Sequence, residues 1–434
     1  MNDKLGPQAA ISKTWLDEHG TDWVFNVTTG HWHYWSGRWR DMDTNRARLY
    51  NSVAKLANTW PVAMHKDSEY RAVMNVVQNQ RSVSGSIFDN DVMRVGVPDG
   101  EIDLRSGEIE PPNRENWISK SLSTRPASKS ADFWLSCLDD WTQGDKDLQF
   151  YLQVWTGYCL TGSRREHSIL IFDGAGGNGK STFLQAINHI LGDYGYVAPV
   201  NLFSGREEHS TGIASLHGKR LTVAHETGGV WKSDLLKQIG SDDEVTARFM
   251  HRDNFRFVPQ TKLAFVVNDP PIIRSVDDAL RRRLKIVPFR FVASPPDLKL
   301  SDKISKEYDR ILNWMLAGLA VWQVDGLAQY EPSVVKTASK AYLDAEDTLK
   351  QYLESCTYAD DKDIQFRFVY KDYLAYCERE GVRSKIARNR FAAKLERYGI
   401  VSQKRHGNVL WVLQRGLVHS TEYDTTGDPT FSLH

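Results

Sequence analysis

An apolar run, Ser168-Ile169-Leu170-Ile171-Phe172-Asp173, leads without a break into Gly174-Ala175-Gly176-Gly177-Asn178-Gly179 and then Lys180-Ser181-Thr182. No other segment restricts the fold as much. Glycines at this spacing let backbone N–H groups close around a phosphate, a strand before them aims the loop, and a helix after them offers its positive end. Residues 174–182 therefore read as a phosphate-binding loop (P-loop) for ATP. Lys180 is expected to reach the β and γ phosphates and Ser181 to give a hydroxyl to Mg²⁺. Thr182 is expected to open a helix over residues 183–191 that Gly192 ends.

At 434 residues the chain is too long for one ordinary core and suits two or three domains. Its 55 basic and 55 acidic residues cancel, so any contact with nucleic acid has to come from local basic patches. Cys137, Cys159, Cys356 and Cys377 have neither metal nor redox spacing and read as reduced thiols. The N-terminus lacks the apolar core of a secretory signal. The longest apolar run, residues 311–322, is too short to span a bilayer. A soluble cytoplasmic protein with no membrane partner is expected.

Residues 1–130 mix aromatic strand-like runs (Trp23-Val24-Phe25 and His31-Trp32-His33-Tyr34-Trp35) with a helical stretch over 46–60, as in an α+β module. Alternation through 97–109 between two glycine turns suggests a hairpin. His31 and His33 would share a strand face, but no cysteine or acidic pair nearby completes a metal shell. The Ser/Lys/Pro-rich stretch 119–130 reads as a linker. Two helical patterns fill 131–165, and 166–330 alternates strands and helices like an α/β nucleotide-binding core. Within 331–417, a helical stretch precedes helices at 369–380 and 385–398 and a hairpin at 400–412, turned at Gly407-Asn408. That order suggests a winged helix. Lys385, Arg388 and Arg390 on the second helix, with Lys404 and Arg405 on the hairpin, suit a groove-reading surface, though the solvated face of a packing domain would look similar. Residues 418–434 read as a mobile tail.

An NTPase also needs an acid on a neighbouring strand. The strand through Leu221-Thr222-Val223-Ala224-His225 delivers Glu226, which would polarise water, assist Mg²⁺, or both. A further strand, 262–267, brings Asn268 to where a γ-phosphate sensor would sit, unless it is only a turn residue before Pro270-Pro271. Arg281-Arg282-Arg283 then precede an apolar run. These arginines are either a solvated face or the source of a finger that stabilises charge on a neighbour's γ-phosphate, an effect worth roughly 10³ to 10⁵ in rate. Arg282 and Arg283 are the candidates.

Leu216-His217-Gly218-Lys219-Arg220-Leu221 leading to Glu226, then Leu236-Lys237-Gln238, Asp242, Val245-Thr246-Ala247-Arg248-Phe249, the Asn268 strand and the arginines before Pro288-Phe289 follow one ordered pattern. It resembles superfamily 3 helicases of the phage and plasmid primase-helicase type, kin of the poxvirus helicase-primase. Upstream, Pro98-Asp99-Gly100-Glu101-Ile102-Asp103-Leu104 looks like the cap domain that precedes these helicases, so the resemblance spans about residues 20–415. It implies an α/β, P-loop AAA+-like core between an N-terminal cap and a C-terminal winged-helix domain, assembled as a ring, usually a hexamer, with ATP at subunit interfaces and single-stranded DNA in the channel. It also implies that a hairpin through 249–257 enters the channel, where His251 and Arg252 would grip backbone phosphates; an ordinary surface hairpin is the alternative. His225 departs from the small or acidic residue common at its position. With only about 20 residues before the cap-like module, helicase activity without primase activity is expected.

The expected function is thus an ATP-dependent helicase acting on single-stranded and forked DNA for a phage, plasmid or mobile element in a bacterial host, with a separate primase or polymerase. The rival reading is an ATP-switched initiator or loading platform that binds origin DNA and unwinds little. An ATPase acting on protein or RNA is a third, weaker one.

Overall fold

The computed structural model of the chain describes residues 6–42, 47–60, 64, 66–199, 202–203, 210–225, 231, 233–250, 252–268, 278–292, 297–345, 347–359, 364–382, 385–396, 398, 400–405, 409–413 and 416–418. Contacts divide the chain into two compact units, one of residues 1–271 with 282–338 and the other of 272–281 with 339–434.

The first unit is built on five parallel strands in the spatial order Leu284–Pro288, Ile169–Asp173, Lys262–Val267, Leu221–His225, Gly195–Ala198. This is a mixed α/β architecture with the parallel sheet of a P-loop-like core. Ile169–Asp173 is paired on both sides and buried along its whole length, which is why its sequence is a continuous apolar run and not an alternation. After the loop the chain enters the helix Lys180–Leu191. It starts two residues before the expected Thr182 because Gly179, left-handed at φ 88°, turns the backbone into the helix at the lysine itself. Gly192 ends it as expected.

That helix buries Phe183, Leu184, Ile187, Ile190 and Leu191, each contributing roughly 1.5–3 kcal/mol. Trp134, on the helix Asp132–Trp141, stacks on Phe183 with ring centres 5.4 Å apart. The helix Lys146–Cys159 crosses Tyr308–Asp325, and the crossing is close because Gly157 and Gly318 face backbone on the other helix with no space for a Cβ. The run 311–322 is therefore a buried core helix, with Ile311, Leu312, Met315, Leu319 and Trp322 inside.

Before the core comes a four-stranded sheet, ordered Trp39–Asp41, His31–Trp35, Trp23–Asn26, Ser82–Val83, packed with helices Pro7–His19, Ala47–Asn58 and Asp67–Gln80. The alternation at 97–109 belongs to a three-stranded meander, Arg94–Val97, Gly100–Asp103 and Glu108–Glu110. The fully buried Arg220 ties this meander to the core, donating to the carbonyls of Arg94 at 2.7 Å and of Leu160.

The expected linker 119–130 is instead a packed strap. Leu122 is buried, and backbone N–H groups of Leu122, Ser123 and Ala127 donate to Gly96, Ile190 and Asp309 at 2.8–3.0 Å. Composition suggested an open chain; satisfied backbone groups and one apolar anchor hold it down.

In the second unit, helices Thr348–Ser355, Phe366–Arg379 and Arg388–Glu396 share a core of Leu349, Tyr352, Val369, Tyr373, Phe391 and Leu395. Val401–Arg405 and Val409–Leu413 pair as an antiparallel hairpin, joined by Ile364–Gln365. Two helices followed by a hairpin match the order read from the sequence. No described helix is long and apolar enough to cross a membrane.

Candidate nucleotide site and nucleic-acid surfaces

Parallel pairing brings the carboxyl ends of the core strands level. Val267 and Pro288 both lie opposite Asp173, so Asn268, Gly174 and Phe289 leave adjacent strands at one edge of the sheet, where ligands bind in such folds. Asn268 is exposed. The third strand ends at His225, and Glu226 lies outside the described residues.

Within the loop, Gly174 sits where a Cβ would run into the Phe289 carbonyl and the Asn178 amide, and Asn178 Nδ2 donates to Phe289 O at 2.9 Å. Gly177 and Gly179 take positive φ. Trp141 lies against Gly179 so closely that no side chain fits there. Ala175, Gly176 and Gly177 are exposed, and Ser181 and Thr182 are partly buried in the first helical turn.

Lys180 is only 3 % exposed, and its Nζ turns back to donate to the Gly174 carbonyl. Burial pushes this amine below the ordinary lysine value, with Asp173 opposing the shift and Arg290 adding to it. No carboxylate lies within ion-pair distance of it among the described residues; Asp173 is taken by Arg290 at 2.9 Å. A buried cation without a counter-ion, beside glycines whose missing side chains leave open space, is a fit for a polyphosphate. Among the described residues no cluster of three His, Cys, Asp or Glu could hold a metal. Ser181, in the first helical turn beside the cradle, would meet a Mg²⁺ carried on the phosphates.

Sequence reasoning missed Asp173, Arg290 and Trp141. A signal existed for the first two: Asp173 is the one charge ending an apolar strand, and Arg290 follows closely on the strand that pairs with it.

The three arginines separate. Arg281 is held by Asp347 at 2.8 Å and Asp344 at 3.2 Å. Arg282 is exposed, and Arg283, partly buried, lies within electrostatic range of Arg164. Arg282 and Arg283 end the helix Asp278–Arg283 just before Leu284, which lies opposite Ile169, the first residue of the P-loop strand. They therefore sit at the far end of the sheet from the glycine-rich loop of their own chain, one strand length or roughly 13 Å or more away.

A hairpin is present, but its first strand is Val245–Arg248, ahead of the expected 249–257, and pairs with Asn254–Phe257; Phe249 stacks on Phe255 at 4.8 Å and Phe255 on Phe257 at 5.5 Å. His251 lies outside the described residues. Arg252 is exposed, and its guanidinium rests on Gly30, in the turn between two strands of the N-terminal sheet, where any side chain would collide with it.

In the second unit Lys385 pairs with Glu378 at 2.8 Å, and the exposed Arg388 opens its helix. The backbones of Lys404 and Arg405 lie in the hairpin; their side chains and that of Arg390 lie outside the described residues.

Residues 12–143 match the family "D5 N terminal like", and residues 172–283 match a family of unknown function, DUF5906. A putative helicase, L207/L206, of Acanthamoeba polyphaga mimivirus is 29% identical over 153 residues, which cover 34% of this chain and 16% of that protein. Putative helicase 022R of Frog virus 3 is 25% identical over 305 residues, or 64% of this chain and 30% of that protein. The chain thus spans less than a third of the length of these relatives. The C-terminal region of NrS-1 shares the fold, with a TM-score of 0.53 at 11% identity over 95% of this chain and all of the other. Two family models and two viral putative helicases thus each match part of the chain, and the NrS-1 region shares its fold.

Proposed function

We propose that the chain is an ATP-dependent DNA helicase that works as a ring, usually of six, and moves along single-stranded DNA during replication of a phage, virus or other mobile element. The observation that carries this is the buried, uncompensated Lys180 in an open glycine cradle at the carboxyl edge of the sheet, level with Asn268.

Lys180 swings from the Gly174 carbonyl to the β and γ phosphates of ATP, and backbone N–H groups of 175–180 hold them. Mg²⁺ supplies neutralisation of phosphate charge. Ser181 orients its hydroxyl toward the metal, Glu226 polarises the attacking water, and Asn268 senses the γ-phosphate. Arg282 or Arg283 serves a neighbour's site: at the far end of the sheet, neither reaches its own. Hydrolysis then shifts the hairpin carrying His251 and Arg252, which pulls the strand. The AAA+ assignment of the core, the N-terminal cap, the winged-helix assignment of the tail, and duplex contact through Lys385, Arg388, Arg390, Lys404 and Arg405 belong to the same reading. So do a primase or polymerase supplied separately and a bacterial cytoplasmic setting.

The rival reading, an ATP-switched initiator or loader, draws on the exposed Arg388 at the start of the tail's second helix. ATP hydrolysis measured with and without single-stranded DNA, duplex DNA and RNA tests the assignment. Stimulation by single-stranded DNA is expected; greater stimulation by RNA, or none by any nucleic acid, contradicts it.

A further inference from the structure

A cleft of about 490 Å³ opens between the N-terminal sheet and the core segments at 193 and 214–219, within the range of roughly 300–1,000 Å³ that suits a small ligand. It is not the P-loop. Asp193, on its wall, follows the far end of the 12-residue helix Lys180–Leu191, which is about 18 Å long.

Four cations line this cleft: Arg38, Arg40, Lys120 and Lys219. Arg38 pairs with Asp193 at 3.4 Å and Lys120 with the buried Asp89 at 3.1 Å, while Lys219 donates to the Asp193 carbonyl at 2.7 Å. His31 takes the third carboxylate, Asp41, at 3.0 Å. Arg40 is exposed and has no ion pair among the described residues. Four Lys and Arg side chains against three carboxylates leave the cleft positive while its histidines are neutral.

Two buried polar groups here want a partner. His33 is 4 % exposed, and its Nδ1 has no hydrogen-bond partner among the described residues; the buried Nε of Arg38 has none either. Leaving a buried donor unpaired is unfavourable, and a ligand oxygen is the kind of partner each of these lacks. Beside them the lining is flat and apolar. His33 stacks on Phe88 at 4.3 Å, and Phe249 lines the same space.

Phosphate donors next to aromatic faces suit a ligand that is anionic at one end and planar at the other. We propose that this cleft is a second nucleotide site, separate from the P-loop, which takes a nucleoside phosphate with its phosphate on Arg40 and Arg38 and its base against Phe88 and Phe249. Such a unit comes from a free nucleotide or from one nucleotide of a single strand. The strand is the favoured source, because Phe249 opens the hairpin loop that carries Arg252, itself resting on Gly30 of the N-terminal sheet. The site does not depend on ATP hydrolysis at Lys180.

Photo-crosslinking of the full chain, carrying Lys180→Ala to silence the P-loop, tests this. The probes are 5-iododeoxyuridine monophosphate and a short oligo-dT with one 5-iododeoxyuridine; adducts are mapped by mass spectrometry. Adducts on the peptide carrying Phe88 are expected, reduced at least fivefold by Arg40→Glu and by Arg40→Gln at an unchanged melting temperature. Arg71→Glu, on a helix outside the cleft, should leave them intact. Labelling by the mononucleotide identifies a free nucleotide as the ligand, and labelling by the oligonucleotide alone identifies the strand. No adduct on that peptide from either probe, or adducts indifferent to both Arg40 variants, overturns the proposal. Adducts confined to the hairpin would also overturn it while leaving the helicase reading standing.

Discussion

Arg290 Nη2 donates to Asp173 Oδ2 at 2.9 Å, so the carboxylate ending the P-loop strand is kept from the lysine of the loop that follows. Without Arg290, Asp173 is free to draw Lys180 Nζ and to compete with a phosphate for it. Arg290→Ala should therefore raise the KM for ATP by about tenfold, equal to about 1.4 kcal/mol, with a smaller effect on kcat. Steady-state ATPase kinetics read this directly. Arg290→Lys should recover most of the loss.

Lys180→Ala should lower ATP turnover by 10³ or more while leaving the fold intact. The lysine's one hydrogen bond goes to a loop carbonyl, and the surrounding apolar packing does not involve its amine. Circular dichroism melting should shift by no more than a few degrees. Hydrolysis at the wild-type rate would remove the nucleotide site from the account.

The three consecutive arginines should behave differently. Arg281→Ala breaks hydrogen-bonded ion pairs with Asp344 and Asp347 and should cost about 1–2 kcal/mol of stability in its unit. Arg282→Ala should leave stability unchanged and cut turnover by roughly 10³ or more. If Arg282 acts in trans, mixing Arg282→Ala with Lys180→Ala protein should restore part of the activity, because some interfaces then pair an intact loop with an intact finger. Absence of any recovery would count against interfacial catalysis.

Burial holds His217 down to about 4, with Lys120 adding to the shift and Asp89 opposing it; Phe255 and Phe257 meet the ring edge to face. The unfolded chain then binds a proton that the folded one refuses between about pH 6.5 and 4. Stability should accordingly be full above pH 6.5 and fall by at most about 3 kcal/mol as the pH drops to 4. Denaturant unfolding at pH 7.5 and 4.5 should show this difference, and His217→Gln should reduce it.

The glycine-rich loop, its strand and its helix were legible because each carries a local signal: a continuous apolar run, glycines where the backbone turns left-handed, and a lysine at the turn into the helix. The tail's two helices and hairpin were legible in the same way, whereas the hairpin at 249–257 came only from the family resemblance, and its first strand, Val245–Arg248, lies ahead of those bounds. What escaped was non-local. Nothing in the spacing of Asp173 and Arg290, 117 residues apart, says that they meet; only the pairing of their strands does. The strap at 119–130 looked open because its composition is polar, yet its backbone donors find carbonyls on three distant segments. Likewise His31 and His33 read only as candidate metal ligands, while the fold gives them to the wall of a positively charged cleft.

Separation of a fluorescently labelled forked DNA with ATP and Mg²⁺, by wild type, Lys180→Ala and Arg252→Ala in parallel, distinguishes a translocating helicase from a loader. Unwinding by wild type and its loss in both variants are expected, with Arg252→Ala still hydrolysing ATP. DNA-stimulated hydrolysis by a wild-type protein that separates no strands would contradict the helicase reading and favour the loader.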